Sequence, residues 1–284
     1  MNTWARRLGL AIALLAGAVG NAGAQTSRAE VRKQVEASML ITGTIDIDEK
    51  GNVTTYRIEQ ANVLPKAMLD VVDRRVRGWS FEPVLVDGKA KPARSPMQMR
   101  LVTKQEGPNY LLRISGVTFG RVEGEESLVR GKLRPPRYPE AAAYGGVGGT
   151  VYLVLQVGRD GAVQDVVAEQ VNLRVVGSAS EMATYRDLLA RAATGTARKW
   201  LFNFPAQGED ADEPFISVRV PVDFIAPNAR EEKAGEWHAY VPGPRQPIPW
   251  RDWNADLQSP DAIASGGIYR DRPGDLRLVS GTDG

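Results

Sequence analysis

The chain has 284 residues, a formal net charge of +2 and 43% hydrophobic residues, which suits one large or two small globular domains. The near balance of acidic and basic side chains argues against a nucleic-acid-binding protein. The absence of cysteine excludes disulfides, thiolate metal sites and cysteine nucleophiles together, so core packing must hold the fold.

Residues 1–24 are typical of an export signal. Arg6 and Arg7 precede a mostly apolar run at 8–19, and Ala22-Gly23-Ala24 offers small residues for cleavage before Gln25. The apolar run is shorter than the roughly 20 residues that a membrane-spanning helix needs. We therefore expect a cleaved signal peptide at 1–24, a periplasmic mature protein and no stable membrane span. An uncleaved membrane anchor is the alternative.

The first of two similar units is predicted at 25–120. An amphipathic helix at 28–38 is followed by an alternating apolar strand at 41–47, a turn at Gly51 and a second strand. Helical spacing of apolar residues runs from Leu64 to Trp79, and further strands are predicted near 96–102 and at 110–119. A charged, Gly-containing linker follows at 121–133.

The second unit, at 134–227, repeats this order. It has a strand at 151–157, a turn at Gly161, a helix that ends near Trp200 and a last strand at 215–224. The turn glycines are 110 positions apart and the tryptophans 121, so additional residues are predicted near 172–181. Each unit therefore predicts an α+β fold in which an antiparallel sheet packs on one helix.

Aromatic pairs mark the end of each predicted helix. Trp79 with Phe81, and Trp200 with Phe202, are predicted to be core residues at a helix-to-strand corner, with no role in binding.

The outer faces of the two first strands differ in polarity. Thr42, Thr44 and Asp46 suit water, whereas the face that carries Tyr152 and Val154 does not. We expect the latter face to be covered by the N-terminal segment, by the other unit or by a partner.

The tail at 228–284 loses periodicity and is rich in proline and glycine. It is predicted to be irregular, either largely disordered or docked on a surface. Trp237, Trp250 and Trp253 favour docking on the chain's own domains, with partner binding as the alternative.

Five segments of the second unit occur in an order that resembles the TonB C-terminal domain family. These are a P-x-Y-P segment at 136–139, Gly149-Thr150-Val151, a Gly-containing turn at 157–163, Trp200-Leu201-Phe202 and a closing strand at 218–224. The first unit matches more weakly, over about 39–102, and lacks the P-x-Y-P opening. The resemblance implies two small TonB C-terminal-like domains in tandem, followed by the irregular tail.

The resemblance also implies a binding mode, because TonB domains bind an extended segment of outer-membrane receptors by strand addition. Carried onto this chain, it makes an envelope protein the expected partner, for example a TonB-dependent outer-membrane receptor. A homodimer is left open. The implied binding residues are Pro136, Tyr138 and Pro139 together with the edge of the last strand at Ile216, Val218 and Val220. The alternative for Tyr138 and Pro139 is that they anchor the chain to its own core.

The chain departs from an energy-transducing TonB in its N-terminus. The expected cleavage removes a membrane anchor, and the first unit follows without a long Pro-rich spacer. We therefore expect a binding or adaptor role. A genuine energy transducer, if the N-terminus stays in the membrane, and a structural envelope scaffold without a peptide ligand are the alternatives.

Enzyme signatures are weak throughout the sequence. His238 is the single histidine, which excludes most His-based triads and multi-His metal sites. Gly145–Gly149 is interpreted as an entry turn, Ser180 with Glu181 as a helix cap, and Asp46 with Asp48 as part of a solvated face. We expect no enzyme, no metal and no cofactor.

Overall fold

The computed structural model describes residues 27–106, 109–120, 129, 133–206, 209–227, 229–230, 233–250, 260, 267–270, 276 and 278–280. The predicted signal peptide, most of the predicted linker and Trp253 lie outside these residues. Within the described ranges, every helix is too short or too polar to cross a bilayer.

The predicted strands and main helix of both units are present, together with short elements that the sequence did not predict. The first part of the chain forms α1 Arg28–Arg32, β1 Glu36–Ile47, β2 Val53–Ile58, α2 Lys66–Arg77, β3 Ser80–Phe81, β4 Val84–Val86, β5 Lys89–Lys91, β6 Ala93–Glu106 and β7 Asn109–Phe119. The second part forms α3 Glu140–Tyr144, β8 Gly149–Gly158, β9 Val163–Leu173, α4 Ala179–Ala197, a 3-10 turn Glu209–Asp212 and β10 Phe215–Phe224. The tail adds β11 His238–Tyr240, β12 Tyr269–Arg270 and β13 Leu278–Ser280.

Two antiparallel sheets carry the α+β architecture. In the first, the strand order is β11-β1-β6-β7, and β2 also pairs with β1. In the second, the order is β12-β10-β8-β9. Alternate side chains of each sheet enter a separate hydrophobic cluster, one with Val72 and Val76 of α2 and one with Leu189 and Ala193 of α4. Each sheet thus buries one face against a helix.

The turn that joins the first two strands has the same geometry in both sheets. Gly51 has φ 84° and Gly161 has φ 82°, a left-handed conformation that favours glycine. The N–H of Phe81 donates to the carbonyl of Gly51 at 2.9 Å, and the N–H of Phe202 donates to that of Gly161 at 2.8 Å. In both sheets, therefore, the aromatic corner after the helix is held to this turn.

Two predicted boundaries are wrong. The helix predicted at 28–38 ends at Arg32, because β1 starts at Glu36, where it pairs with β11. The additional residues of the second unit do not form a separate segment. They lengthen existing elements, since β9 has 11 residues against 6 in β2 and α4 has 19 against 12 in α2.

The non-helical faces of the two sheets pack against each other. Tyr152 and Val154 of β8 are 6% and 0% exposed, although neither belongs to the cluster against α4. A cavity of about 20 Å³ is lined by Thr150 and Tyr152 from the second sheet and by Ser38 and Arg100 from the first. The face that is unsuited to water is thus covered by the other sheet.

The N-terminal helix also joins the two parts of the chain. Val31 of α1 lies in the hydrophobic cluster of the second sheet, although α1 directly precedes β1 of the first. Arg28 forms an exposed ion pair with Glu181 at the start of α4.

Candidate partner-binding edge

β10 has one edge on which a strand can be added. Its other edge pairs with β8 along the whole strand, from Phe215 opposite Gly158 to Phe224 opposite Gly149. A sheet edge presents a row of N–H and C=O groups that an extended chain can pair with. Pro221 contributes no N–H donor to this row.

The three predicted residues of this strand lie in the core. Ile216, Val218 and Val220 are 4%, 0% and 6% exposed and belong to the cluster against α4. Their contribution to a partner strand is therefore the backbone edge. The opposite face of β10 carries Ser217 and Arg219, which point towards the layer between the sheets.

The tail of the same chain occupies the middle of this edge. β12 pairs antiparallel with β10, with Arg270 opposite Val218 and Tyr269 opposite Arg219. Ile268 is 2% exposed and lies in the same cluster as Val218. The hydroxyl of Tyr269 donates to Oε1 of Gln98 on β6 at 3.0 Å. The edge thus holds an added strand whose side chains alternate between the helix-side core and the layer between the sheets.

The first sheet shows a full strand at the corresponding position. β6 pairs with β1 as β10 pairs with β8, and β7 follows on its outer edge from Met97 opposite Phe119 to Glu106 opposite Asn109. In the second sheet the described part of the tail contributes two residue pairs at the matching place. The edge of β10, from Phe215 to Phe224, is therefore longer than the described strand β12.

The P-x-Y-P segment lies at the far end of β10. The hydroxyl of Tyr138 donates to the carbonyl of Val147, and its ring packs edge-to-face on Phe224 at 5.5 Å between centroids. Burial raises the pKa of Tyr138. Pro139 is the N-cap residue of α3, and Pro136 is partly exposed. These contacts fix the segment beside the last residue of β10.

The aromatic motifs lie in the cores. Trp79 and Phe81 are both 3% exposed and meet Phe119 of β7 in edge-to-face contacts at 5.7 and 4.9 Å. Trp200 and Phe202 are 5% and 0% exposed, and Nε1 of Trp200 donates to the carbonyl of Arg134 at 3.0 Å. The Trp200 contact ties the start of the P-x-Y-P segment to the helix corner.

A buried charge cluster lies beneath the same sheet. Glu169 of β9 has a fully buried side chain and lies 3.5 Å from Nε of Arg219 on β10. Its Oε1 also accepts from Nη2 of Arg245 in the tail at 2.6 Å. A buried carboxylate needs such partners, because without them its loss of hydration is uncompensated. This cluster joins the tail to β9 and β10 of the second sheet.

The tail also covers the opposite edge of that sheet. Val241 bridges Leu173, and the N–H of Gln246 donates to the carbonyl of Glu169 at 2.7 Å. Residues 241–246 therefore run along the outer edge of β9. Ile248 is buried, and Nε1 of Trp250 donates to Oγ of Ser217 at 3.4 Å.

The residues weighed for chemistry have structural contacts. Asp46 pairs with Arg94, and Asp48 holds the turn, with its pKa lowered chiefly by the hydrogen bond from the Asn52 side chain. The helix cap is Ser178, two residues before the predicted Ser180, and it forms a capping box with Glu181. Over the described ranges, no group of three or more His, Asp or Glu side chains is placed to hold a metal ion.

The sequence reasoning missed the strand that fills the edge. Ile268-Tyr269 is a β-branched and aromatic pair that follows Gly266-Gly267, a combination typical of a strand after a turn. Gln98 accepts the hydrogen bond from the Tyr269 hydroxyl, and no sequence pattern indicated this role.

The geometry defines an α+β protein with a sheet edge that takes up an extended strand. Over 92 residues, 32% of this chain, the sequence is 38% identical to Protein TonB of Xanthomonas campestris pv. campestris strain B100. It has the same identity over the same length to Protein TonB of strain ATCC 33913 of that pathovar. The match covers 35% of each relative, so the chain spans about a third of the length of the curated relatives it matches. No protein-family model and no solved structure matches the chain. The similarity supports a TonB-like protein.

Proposed function

We propose that this chain is a TonB-like binding or adaptor protein of the bacterial envelope, and that its second sheet engages an extended segment of a partner by strand addition beside β10. The observation that carries the proposal is the pairing of β12 with β10 at Val218 and Arg219. This edge already pairs with a strand of the chain's own tail, which supports the proposal. The role is binding, without catalysis.

The similarity to Protein TonB guides the choice of partner and location. We propose a periplasmic protein, exported through the signal at 1–24, and a partner such as a TonB-dependent outer-membrane receptor. We also propose that the two sheet-and-helix units are tandem copies of one TonB C-terminal-like domain. The matching turns at Gly51 and Gly161 support this.

Site-specific photocrosslinking in cells tests the proposed function. A photoreactive residue replaces Glu213, which is exposed just before β10, and the matched control replaces the exposed Arg57 on β2 of the other sheet. We expect position 213, but not position 57, to crosslink to one contiguous segment of an envelope protein, identified by mass spectrometry. Equal crosslinking from both positions, or crosslinks to unrelated proteins only, would contradict strand addition at β10.

A further inference from the structure

The strand beside β10 is short, but its side chains make contacts on both faces of the sheet. Ile268 enters the core against α4, whereas Tyr269 reaches across to Gln98 of the other sheet. Gln98 is itself only 9% exposed, so this hydrogen bond lies in a largely dry layer where polar groups need partners. The site beside β10 can therefore discriminate between the side chains of an added strand, although the hydrogen bonds of the ladder are made by backbone groups.

We propose that the edge of β10 recognises an extended segment in which an aliphatic residue is followed directly by an aromatic residue with a hydroxyl group. Residues 268–270 are the chain's own occupant of that site, and a partner segment binds by displacing them. This inference rests on the proposed function. It adds the chemistry of the partner segment, and it states that residues 268–270 occupy the site when no partner is bound.

A short ladder favours displacement of the strand that forms it. Among the residues that the structure describes, β12 contributes two pairs, whereas β7 covers the corresponding edge of the first sheet from Met97 to Glu106. A partner segment of similar length to β7 would form additional pairs along β10. The gain from those pairs can offset the loss of the tail strand.

The tail is fastened on both sides of β12. Before it, Trp250 donates to Ser217 and Ile248 is buried. After it, Leu276 enters the core of the first sheet and Leu278 pairs with Phe81. Anchors on both sides keep the effective concentration of β12 at the edge high. A free peptide therefore competes with β12 and binds less tightly than it would bind the empty edge.

A peptide-binding experiment on the full chain tests the occupant. The probe is a fluorescent peptide with the sequence of residues 264–273. Ile268→Asp places a charge in the core and should release β12, and we expect it to bind the peptide at least tenfold more tightly than the unmodified chain. The matched control is Val279→Asp, at an exposed position of β13, which pairs with β3; it should bind like the unmodified chain.

A reversible lock provides a test that does not depend on the folding of Ile268→Asp. The chain has no cysteine, and Val218 and Arg270 are directly opposite each other. Such pairs have Cα separations within the range of a disulfide. In the double variant V218C/R270C, oxidation should lower peptide binding at least tenfold, and reduction of the same sample should restore it.

The peptide itself tests the chemistry of recognition. Replacing its tyrosine by phenylalanine should weaken binding to Ile268→Asp about fivefold, which corresponds to one hydrogen bond. Equal binding of the two peptides overturns the aromatic-hydroxyl preference, and equal binding by the oxidised and reduced lock overturns occupation by β12. If the peptide results hold but Glu213 crosslinks to no envelope protein, the proposed function fails while the strand-displacement site stands.

Discussion

Single residues fix the turns on which both sheets are built. Gly51 has φ 84°, and a Cβ added there would lie 1.9 Å from the carbonyl oxygen of Phe81. We predict that Gly51→Ala lowers the free energy of unfolding by about 2 kcal/mol or more, since both the left-handed backbone and the close contact are lost. Urea denaturation measures this.

The matched glycine for that experiment lies in α4. A Cβ added to Gly195 meets no atom within 4 Å. Gly195→Ala should therefore raise the free energy of unfolding by about 0.5–1 kcal/mol through helix propensity. If Gly51→Ala were as stable as the unmodified chain, the proposed role of the turn would be wrong.

The cap of α4 predicts a dependence of stability on pH. The pKa of Glu181 lies below its ordinary value of 4.5, chiefly because the backbone N–H of Ser178 donates to its carboxylate, and then because of Arg28. A lowered folded-state pKa gives stability that is present above pH 4.5 and is lost as the pH falls through the folded-state pKa. Glu181→Gln should thus be less stable than the unmodified chain at pH 7, and the difference should shrink as the pH falls below 4.5 towards and through the folded-state pKa.

Urea midpoints at pH 7 and pH 3 measure the effect of Glu181. The control is Glu140→Gln in the first turn of α3, where no capping box forms. A difference between the unmodified chain and Glu181→Gln that stayed constant between pH 7 and pH 3 would show that the charge of Glu181 is not the cause.

At the scale of elements, the long strands were predictable and the short ones were not. The alternation at 41–47 and 151–157 reports burial of one face directly, and β1 and β8 contain these stretches. β11, β12 and β13 have three, two and three residues, too few to show a period. Their pairing depends on edges supplied by distant parts of the chain, which a local pattern does not contain.

The charge cluster that joins the tail to β9 is predicted to contribute to stability. Glu169 is fully buried between Arg219, which is 3% exposed, and Arg245. Glu169→Ala should lower the free energy of unfolding by about 3 kcal/mol, because the buried Arg219 loses its carboxylate. Arg245→Met should cost less, since the pair of Glu169 with Arg219 remains.

Hydrogen exchange shows whether the cluster acts on the tail. Both substitutions should speed exchange of the Gln246 amide, which donates to the carbonyl of Glu169. If Arg245→Met were the more destabilising of the two, the burial of Arg219 would not determine the cost.

At the scale of the whole molecule, the tail connects what the sequence presents as separate units. Its described parts pair with β1, with Leu173 of β9, with the edge of β10 and with β3. The resemblance to TonB C-terminal domains predicted the edge of β10 as the candidate site. It did not predict that the tail occupies this edge. β12 lies outside the residues that resemble the TonB C-terminal domain, and two residues are too few to show the alternation of a strand.

The packing of one sheet on the other predicts cooperative unfolding. Val154 is fully buried in the layer between the sheets. Val154→Asp should lower the free energy of unfolding by about 3 kcal/mol or more and should split one transition into two, because it buries a second carboxylate that competes with Glu169 for Arg219, directly opposite, and so disturbs the packing of the two faces. Urea unfolding followed by far-UV circular dichroism and by tryptophan fluorescence measures this.

Thr54→Asp, on the exposed edge strand β2, is the control and should keep the two signals coincident. If Val154→Asp also unfolded in one coincident transition at the original midpoint, the sheets would not stabilise each other through this layer.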